Sequence, residues 1–230
     1  MTNKKDVVIK KLKRFQHNIN SFDKSILNNS NDKKANSGIH YRGYLPHFDF
    51  DGLYQNITYR LNDSLSKETL ENILLNSESD SNRRKEIEEK LDAGYGSCIL
   101  KLPLIANMII ENWQYFNEKK YDLIAYVVMP NHVHILIKIY SNSSISNIVH
   151  SWKSYTSKRI KEILSKEAKN AEDLEFVDKI GWQEDYWDRY IRDEVHYFNA
   201  VEYIHNNPVK AGLCENPTDW KFSSLNQLKK

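Results

Sequence analysis

Residues 127–140, VVMPNHVHILIKIY, limit the possible folds more than any other segment of this chain. From Asn131 onward, aliphatic residues occupy every second position: Val133, Ile135, Ile137 and Ile139. Successive side chains of a β-strand point to opposite faces, so we expect these residues to form a core face, with His132 and His134 together on the other. Two such histidines can bind one metal ion through neutral nitrogens. On an exposed strand face, however, they are more often plain surface residues.

The composition predicts a soluble cytoplasmic protein with one decorated domain. Among 230 residues, the formal net charge is only +2, so any nucleic-acid binding has to depend on local clusters of charge. Cys98 and Cys214 lack the spacing of a metal site and are too few for a disulfide framework. We find no apolar run of transmembrane length and no signal-peptide core, so we expect no membrane partner.

The order of predicted elements favours an α+β domain at residues 39–230, preceded by a disordered polar and basic arm at residues 1–38. We expect strands at residues 52–61 and 123–129 and from Asn131 onward. The predicted helices are residues 66–75, 85–91, 103–116, 145–164 and 193–206, the last of which ends at Asn207-Pro208. Residues 77–84 and 165–178 are polar or charged and are predicted to be loops.

The last predicted helix gives the histidine pair more weight. Tyr203 and Asn207 are four residues apart and therefore lie on one helical face. A phenol and a neutral oxygen donor, placed against the two histidines, would make a phosphoryl-transfer site. In the alternative, Tyr203 is a packed helix residue and Asn207 is a C-cap before proline.

Several motifs together resemble one family. The segments PNHVHILI, WQEDYWDRYIRDE, YIHNNPVKAGL and WKFSS, in this order, resemble the single-tyrosine transposases of the HUH superfamily. Within the IS200-like members, the chain most resembles the REP-associated tyrosine transposases. The resemblance extends from about Tyr41 to Ser224, whereas H-V-H alone would not be specific.

This resemblance implies a ferredoxin-like sandwich with a central antiparallel sheet and helices packed on it. His132 and His134 match the HUH histidines, Asn207 matches the third metal ligand and Tyr203 matches the nucleophile. The implied cofactor is Mg²⁺ or Mn²⁺, and the implied substrate is single-stranded DNA with a hairpin, such as a REP-like palindrome. The tyrosine would cut one strand through a 5′-phosphotyrosine intermediate. The resemblance also implies a monomer that associates with the bacterial nucleoid when bound to DNA.

Basic and aromatic side chains are the candidates for further DNA contacts. Phosphates could be held by Lys153, Lys158, Arg159, Arg189, Arg192 and Lys210. Trp182 and Trp187 could stack on unpaired bases, although each could equally be a core or interface aromatic residue.

Other residues compete for the catalytic role. The competing tyrosines are Tyr155, Tyr186, Tyr190 and Tyr197, and Tyr190 has a carboxylate, Glu194, four residues later. His196 shares the helical face of Tyr203 and could contact substrate or lie on the surface, whereas His205 points largely away. Two other functions stay open: a catalytically silent hairpin-binding protein, and a metal-dependent hydrolase without a covalent step.

Overall fold

A computed structural model describes residues 38–42, 45–49, 52–77, 79–141 and 143–227. The strands are β1 (Gly38–Arg42), β2 (Leu45–Asp49), β3 (Tyr54–Arg60), β4 (Tyr121–Val128), β5 (His132–Ile139) and β6 (Trp187–Tyr190). The α-helices are α1 (Lys67–Asn76), α2 (Asp80–Asp92), α3 (Pro103–Phe116), α4 (Ile145–Glu167), α5 (Ala171–Lys179), α6 (Glu194–Lys210) and α7 (Ser224–Gln227). The predicted arm lies outside the described residues except for Gly38, so its boundary stays a prediction.

A four-stranded antiparallel sheet forms the centre of the fold, in the order β4-β5-β3-β6. Helices separate β3 from β4 and β5 from β6, while β4 and β5 follow each other directly. This strand–helix–strand–strand–helix–strand order is the ferredoxin-like arrangement. The predicted α+β sandwich with a central antiparallel sheet is therefore confirmed. Strands β1 and β2 form a separate two-stranded hairpin.

One face of the sheet packs against α3 and α4. Aliphatic residues of β5, such as Ile135, lie in a core with Trp113 of α3 and Trp152 of α4. The Trp113 indole N–H donates a hydrogen bond to the Tyr59 hydroxyl at 3.0 Å, so a polar group inside this core is also paired. The predicted aliphatic core face of β5 is where the alternation placed it.

The opposite face of the sheet is buried under α6. Leu136 of β5 and Val127 of β4 pack there against Tyr197, Val201 and Ile204 of α6. Strand β5 is therefore covered on both faces, and the histidines lie on a buried surface rather than an exposed one. The alternative in which the two histidines are plain surface residues is wrong, because both side chains are buried. The covering helix α6 is remote in sequence, so the local pattern could not reveal this burial.

Both predicted loops contain helices. Helix α2 begins at Asp80, where the Ser79 side chain accepts a hydrogen bond from the Asn82 N–H, so the loop prediction for residues 77–84 is wrong in its second half. Helix α5, capped by Asn170, occupies most of the predicted loop 165–178 and ends one residue beyond it, so that loop prediction is also wrong. Helix α2 is short of apolar residues, so its sequence lacks the periodicity that identifies an amphipathic helix. Helix α5 does carry that periodicity, in Leu174 and Val177, and the loop prediction passed over it.

Helix α6 continues past its predicted end, to Lys210, with Pro208 inside it. Proline has no N–H to donate, but the next backbone bonds still form: the Ala211 N–H donates to the Asn207 carbonyl at 2.9 Å. Asn207 is therefore a helical residue and not the C-cap, which is Ala211. Within the part of the chain that the structure describes, none of the helices is long and apolar enough to cross a bilayer.

Candidate active site

The two histidines of β5 face each other through their Nε2 atoms, which are 3.1 Å apart. His132 Nδ1 lies 2.8 Å from Asn131 Oδ1. The Asn131 amide nitrogen donates to the backbone carbonyls of Leu91 and Tyr95, so its oxygen is the atom that faces His132. Because an amide oxygen only accepts, neutral His132 carries its proton on Nδ1 and presents a lone pair from Nε2.

The neighbouring strand β3 orients His134. Thr58 is the direct cross-strand partner of His134, and its Oγ1 lies 2.7 Å from His134 Nδ1. A hydroxyl can donate or accept, so His134 can donate from Nδ1 to Thr58 and present its Nε2 lone pair beside that of His132. A second hydrogen bond of this kind is the usual way in which a protein orients a metal-binding imidazole.

Burial keeps both imidazoles neutral. It lowers the pKa of His134 to about 3, with a further contribution from the Lys210 charge. Burial also holds the pKa of His132 well below its usual value, assisted by His134 and Lys210. Neutral imidazole is the form that binds metals, so the Nε2 atom of each histidine is available to a metal ion at neutral pH.

Asn207 brings a third donor to the pair from α6. Its side chain is buried, and its Nδ2 lies 3.3 Å from His134 Nε2. Its Oδ1 is buried with no hydrogen-bond partner among the described residues, and half a turn of the amide would place this oxygen near the histidines. Over those same residues, no three His, Cys, Asp or Glu side chains form a metal-binding group, so a three-ligand site needs this amide. An oxygen and two neutral nitrogens fit a harder divalent cation such as Mg²⁺ or Mn²⁺.

Tyr203 lies one helical turn before Asn207, next to the histidines. Its ring centroid is 5.3 Å from that of His134, in an edge-to-face arrangement. The hydroxyl is buried, and within the described chain it has no partner with good hydrogen-bond geometry, although the Glu88 carboxyl lies beside it. Burial raises the pKa of the Tyr203 phenol, and the carboxylates of Glu88 and Asp92 raise it further. The phenol is therefore protonated at neutral pH unless a cation approaches it.

Helix α2 supplies two carboxylates that the sequence reasoning missed. Glu88 and Asp92 are four residues apart and share the helical face that borders the site. Asp92 Oδ1 is 3.9 Å from His132 Nε2, and burial raises the pKa of Glu88. The segment KEIEEKLD looks like a solvent-exposed charged helix. The only hint in this sequence that one face is buried is the pair Ile87 and Leu91, which are four residues apart. Both are buried in the structure, and the carboxylates that follow each of them therefore point inward.

The predicted DNA contacts are divided between the two layers. Arg189 and Arg192 are exposed on the side of the sheet that carries the histidines, near His196. The ammonium group of Lys210 is paired with Asp92. Lys210 therefore belongs to the site itself and is not an open phosphate contact. Trp187 is half-buried at the edge strand β6.

The remaining predicted DNA contacts lie away from the histidines. Lys153, Lys158 and Arg159 belong to α4, which packs on the opposite face of the sheet. Lys153 donates to the Glu184 carbonyl, and Arg159 pairs with Glu162. Trp182 is 9% exposed in the core, and its indole N–H donates to Thr156 Oγ1 at 2.7 Å, so its ring is not available for stacking on a base.

The competing residues are placed as follows. Tyr155 is exposed on α4, in the other layer, and Tyr197 is fully buried in an edge-to-face contact with Tyr54. Tyr186 and Tyr190 are partly buried before and at the end of β6. His196 lines a cavity together with Tyr203. His205 is buried away from the site and bonds Ser224 Oγ at 2.8 Å, as its position on the helix predicted.

Several known proteins are similar to this chain in sequence. The family model described as "Transposase IS200 like" matches residues 105–207. A Haemophilus influenzae protein, provisionally named a REP-associated tyrosine transposase, is 28% identical over 109 residues, 46% of this chain and 60% of that protein. A REP-associated tyrosine transposase of Escherichia coli K12 is 28% identical over 110 residues, 48% of this chain and 58% of that protein. The chain thus spans about three fifths of the length of these relatives.

One solved structure is similar over most of the chain. It is that of a REP-associated tyrosine transposase bound to a REP hairpin. Its sequence is 21% identical, the match covers 82% of this chain and 83% of that chain, and the TM-score is 0.48.

Proposed function

We propose that this chain, which is similar to the IS200-like transposases over residues 105–207, cuts and rejoins one strand of hairpin-forming single-stranded DNA. The substrate class follows from its relation to REP-associated tyrosine transposases, for which REP-like palindromes are the expected hairpins. The reaction passes through a 5′-phosphotyrosine on Tyr203.

One observation carries this proposal: β5 and α6 bring a phenol and a buried amide against the neutral imidazole of His134, which faces that of His132. The Tyr203 ring packs on His134, and the Asn207 amide contacts the same imidazole. The Asn207 side-chain oxygen is buried without a hydrogen-bond partner among the described residues, which costs free energy unless a ligand completes its hydrogen bonding. All four residues belong to one chain, which supports a site that is complete in a monomer.

The donor set fits a divalent cation. We expect His132, His134 and Asn207 to hold Mg²⁺ or Mn²⁺. When bound, such an ion supplies positive charge that lowers the pKa of a nearby phenol and stabilises negative charge on a phosphate. The chain itself orients the two imidazoles through Asn131 and Thr58 and excludes water by packing α6 over them.

In the cleavage step, the Tyr203 oxygen forms a bond to phosphorus while the bond between phosphorus and the 3′-oxygen breaks. The phenol proton leaves Tyr203, and the departing 3′-oxygen gains a proton, which leaves a free 3′-hydroxyl. The Glu88 carboxylate, beside the phenol, can accept the phenol proton. Attack by the 3′-hydroxyl of a strand on the phosphotyrosine reverses these changes and rejoins DNA. The phosphodiester energy is conserved, so no ATP is needed.

The test is covalent capture. Wild-type protein is incubated with a labelled single-stranded hairpin from the DNA flanking its gene, with Mg²⁺ or Mn²⁺, and then denatured. We expect the label to stay on the protein and peptide mapping to place it at Tyr203.

Tyr203→Phe is the key variant, because it keeps the ring packing and removes the nucleophile. It should bind the hairpin but form no adduct, whereas the control Tyr190→Phe should still form one. An adduct on Tyr203→Phe would place the nucleophile elsewhere. DNA cleavage without an adduct would indicate a hydrolase that uses water, and binding without cleavage or adduct would indicate the catalytically silent hairpin-binding protein.

A further inference from the structure

Asp92, the last residue of α2, brings a carboxylate to the His132 end of the proposed metal site. Its Oδ1 lies 3.9 Å from His132 Nε2 and has no hydrogen-bond partner among the described residues. Its Oδ2 accepts a hydrogen bond from Lys210 Nζ at 2.9 Å. The two oxygens of one carboxylate are thus treated differently: Lys210 pairs with Oδ2, whereas the buried Oδ1 faces the imidazole.

The end of α2 also fixes the other side of the His132 ring. The Leu91 carbonyl accepts a hydrogen bond from the Asn131 amide nitrogen, and the oxygen of that amide lies 2.8 Å from His132 Nδ1. Leu91 and Asp92 are consecutive residues. The same backbone segment therefore reaches the Nδ1 side of the ring through Asn131 and places the Asp92 carboxylate on the Nε2 side.

The atoms that face each other here are electron-rich. His132 carries its proton on Nδ1, so its Nε2 presents a lone pair toward Asp92 Oδ1, and a carboxylate oxygen only accepts hydrogen bonds. His134 Nε2 lies on the same imidazole nitrogen, 3.1 Å away. Buried acceptors that face one another without a donor are costly unless a positive charge lies beside them. Lys210 provides such a charge at Oδ2 alone.

The three donors proposed for the cation carry no charge of their own. Two neutral imidazoles and the Asn207 amide would leave the charge of a buried divalent ion uncompensated, which is unfavourable. Mg²⁺ is usually bound in proteins through one or two carboxylates and keeps several of its water molecules. Asp92 forms no closed group with both imidazoles within the described ranges, so its place is beside the donor set, next to His132.

We propose that Asp92 is the anionic partner of the cation, reaching the ion through a water molecule that the ion retains. The inference rests on the metal site of the proposed function and adds a charged group to it. That group comes from α2, which lies outside the segment matched to the IS200-like transposases. Lys210 pairs with the same carboxylate, and two cations that share one carboxylate repel each other. Asp92 therefore strengthens metal binding, and Lys210 weakens it.

The test is metal binding by the full chain without DNA. Mn²⁺ is titrated into protein that has been stripped with a chelator, and electron paramagnetic resonance measures the Mn²⁺ that stays free. We expect Asp92→Asn to weaken Mn²⁺ binding by about tenfold or more, the usual effect of losing a group that supports a metal site. We expect Lys210→Met to tighten Mn²⁺ binding several-fold. Both variants break the same ion pair, so a pair with only a structural role would shift the affinity in one direction.

Two variants of α2 serve as matched controls. Glu88→Gln removes a carboxylate from the same helical face, one turn earlier and beside Tyr203, and should weaken Mn²⁺ binding by much less than Asp92→Asn. Lys90→Met removes an exposed positive charge and should leave the Mn²⁺ affinity unchanged. Melting temperatures of the stripped proteins establish that each variant is folded.

The double variant Asp92→Asn/Lys210→Met leaves neither member of the pair without its partner, and it replaces a single variant that does not fold. Its Mn²⁺ affinity should equal that of Asp92→Asn, because Lys210 acts through Asp92. The proposal is overturned if Asp92→Asn, or the double variant in its place, binds Mn²⁺ as tightly as wild type. It is also overturned if Lys210→Met weakens the binding, or if Glu88→Gln costs as much as Asp92→Asn.

The covalent-capture experiment separates this result from the proposed function. Wild-type binding of Mn²⁺ that depends on Asp92, without an adduct on Tyr203, would support the carboxylate and contradict the cleavage chemistry. An adduct on Tyr203 together with Mn²⁺ binding that does not depend on Asp92 would support the chemistry and contradict the carboxylate. A wild-type protein that binds no Mn²⁺ would contradict both the metal site and the role of Asp92.

Discussion

Lys210 and Asp92 form an ion pair that joins α6 to α2 at the edge of the histidine site. Lys210 Nζ lies 2.9 Å from Asp92 Oδ2, while Asp92 Oδ1 lies 3.9 Å from His132 Nε2. The Asp92 side chain is only 10% exposed, and Lys210 is the cation paired with it. The same ammonium group lies over the Tyr203 ring, 5.9 Å from its centroid. The pair thus holds a positive charge next to the phenol and the imidazoles.

Removing this ion pair should destabilise the protein. We expect Lys210→Met to lower the free energy of unfolding by about 1 kcal/mol, because Asp92 loses its partner while the half-exposed Lys210 limits the effect. Urea denaturation measures it, and Lys158→Met, at an exposed position of α4, should change stability by less. Lys210→Met with unchanged stability and weaker DNA binding would instead make Lys210 a phosphate contact.

Removing either imidazole should separate cleavage from binding. His132→Ala and His134→Ala should lower the rate of hairpin cleavage by about 100-fold or more, because each removes a proposed metal ligand. Hairpin binding should stay within a few fold, since other residues contact the phosphates. Band-shift and cleavage assays are run side by side. The control is His205→Ala, which empties a similarly buried position away from the site and should keep both cleavage and binding. If His132→Ala and His134→Ala lost cleavage and binding equally, the two histidines would instead support the fold or contact the DNA.

Binding should weaken steeply with salt in spite of the small net charge. Local Lys and Arg side chains displace counterions from DNA, so log affinity should fall linearly with log salt. Arg189→Gln and Arg192→Gln, on the side of the site, should each reduce the slope by about 1, whereas Lys158→Gln should leave it nearly unchanged. Fluorescence anisotropy over a salt series measures the slopes. A wild-type affinity that does not change with salt would contradict phosphate binding. If only Lys158→Gln reduced the slope, the DNA would instead contact α4, on the opposite face of the sheet.

Stability should fall as the pH falls below the usual histidine pKa. The pKa of His134 is lowered from 6.5 to about 3 in the folded protein, so between these values the unfolded state binds a proton that the folded state does not. The free energy of unfolding therefore decreases as the pH falls through this window, by up to about 1.4 kcal/mol per pH unit for this group. Urea denaturation at pH 7, 6 and 5 should show a shallower decrease for His134→Asn than for wild type. Parallel curves would mean that His134 is not buried in its neutral form.

Local patterns were sufficient to predict several parts of the site. Alternation placed His132 and His134 on one face of a strand, and helical spacing placed Tyr203 and Asn207 on one face of a helix. Both relationships follow from the period of a regular element and need no knowledge of distant residues. The motif order also identified the transposase resemblance, which the comparisons confirm.

Residues that enter the site from remote elements could not be found in this way. Glu88 and Asp92 lie on a charged helix whose inward face is marked only by Ile87 and Leu91. Trp182 lies in the core and Trp187 at the cavity, although both stand in one aromatic, charged segment. A periodic pattern shows which residues share a face, but not which element will cover that face.

The sequence by itself determined the α+β class, the paired imidazoles of β5 and the tyrosine-to-asparagine spacing of α6, because each depends on contacts within one element or on a local motif. Only the tertiary structure decided that the imidazoles are buried and neutral, that Lys210 is paired with Asp92, and that Asn56 and Trp187 border a cavity beside Tyr203. These features come from packing α2 and α6 against one face of the sheet. Burial and electrostatic pairing depend on the distances between residues that are far apart in the chain, and such distances exist only after the layers have packed.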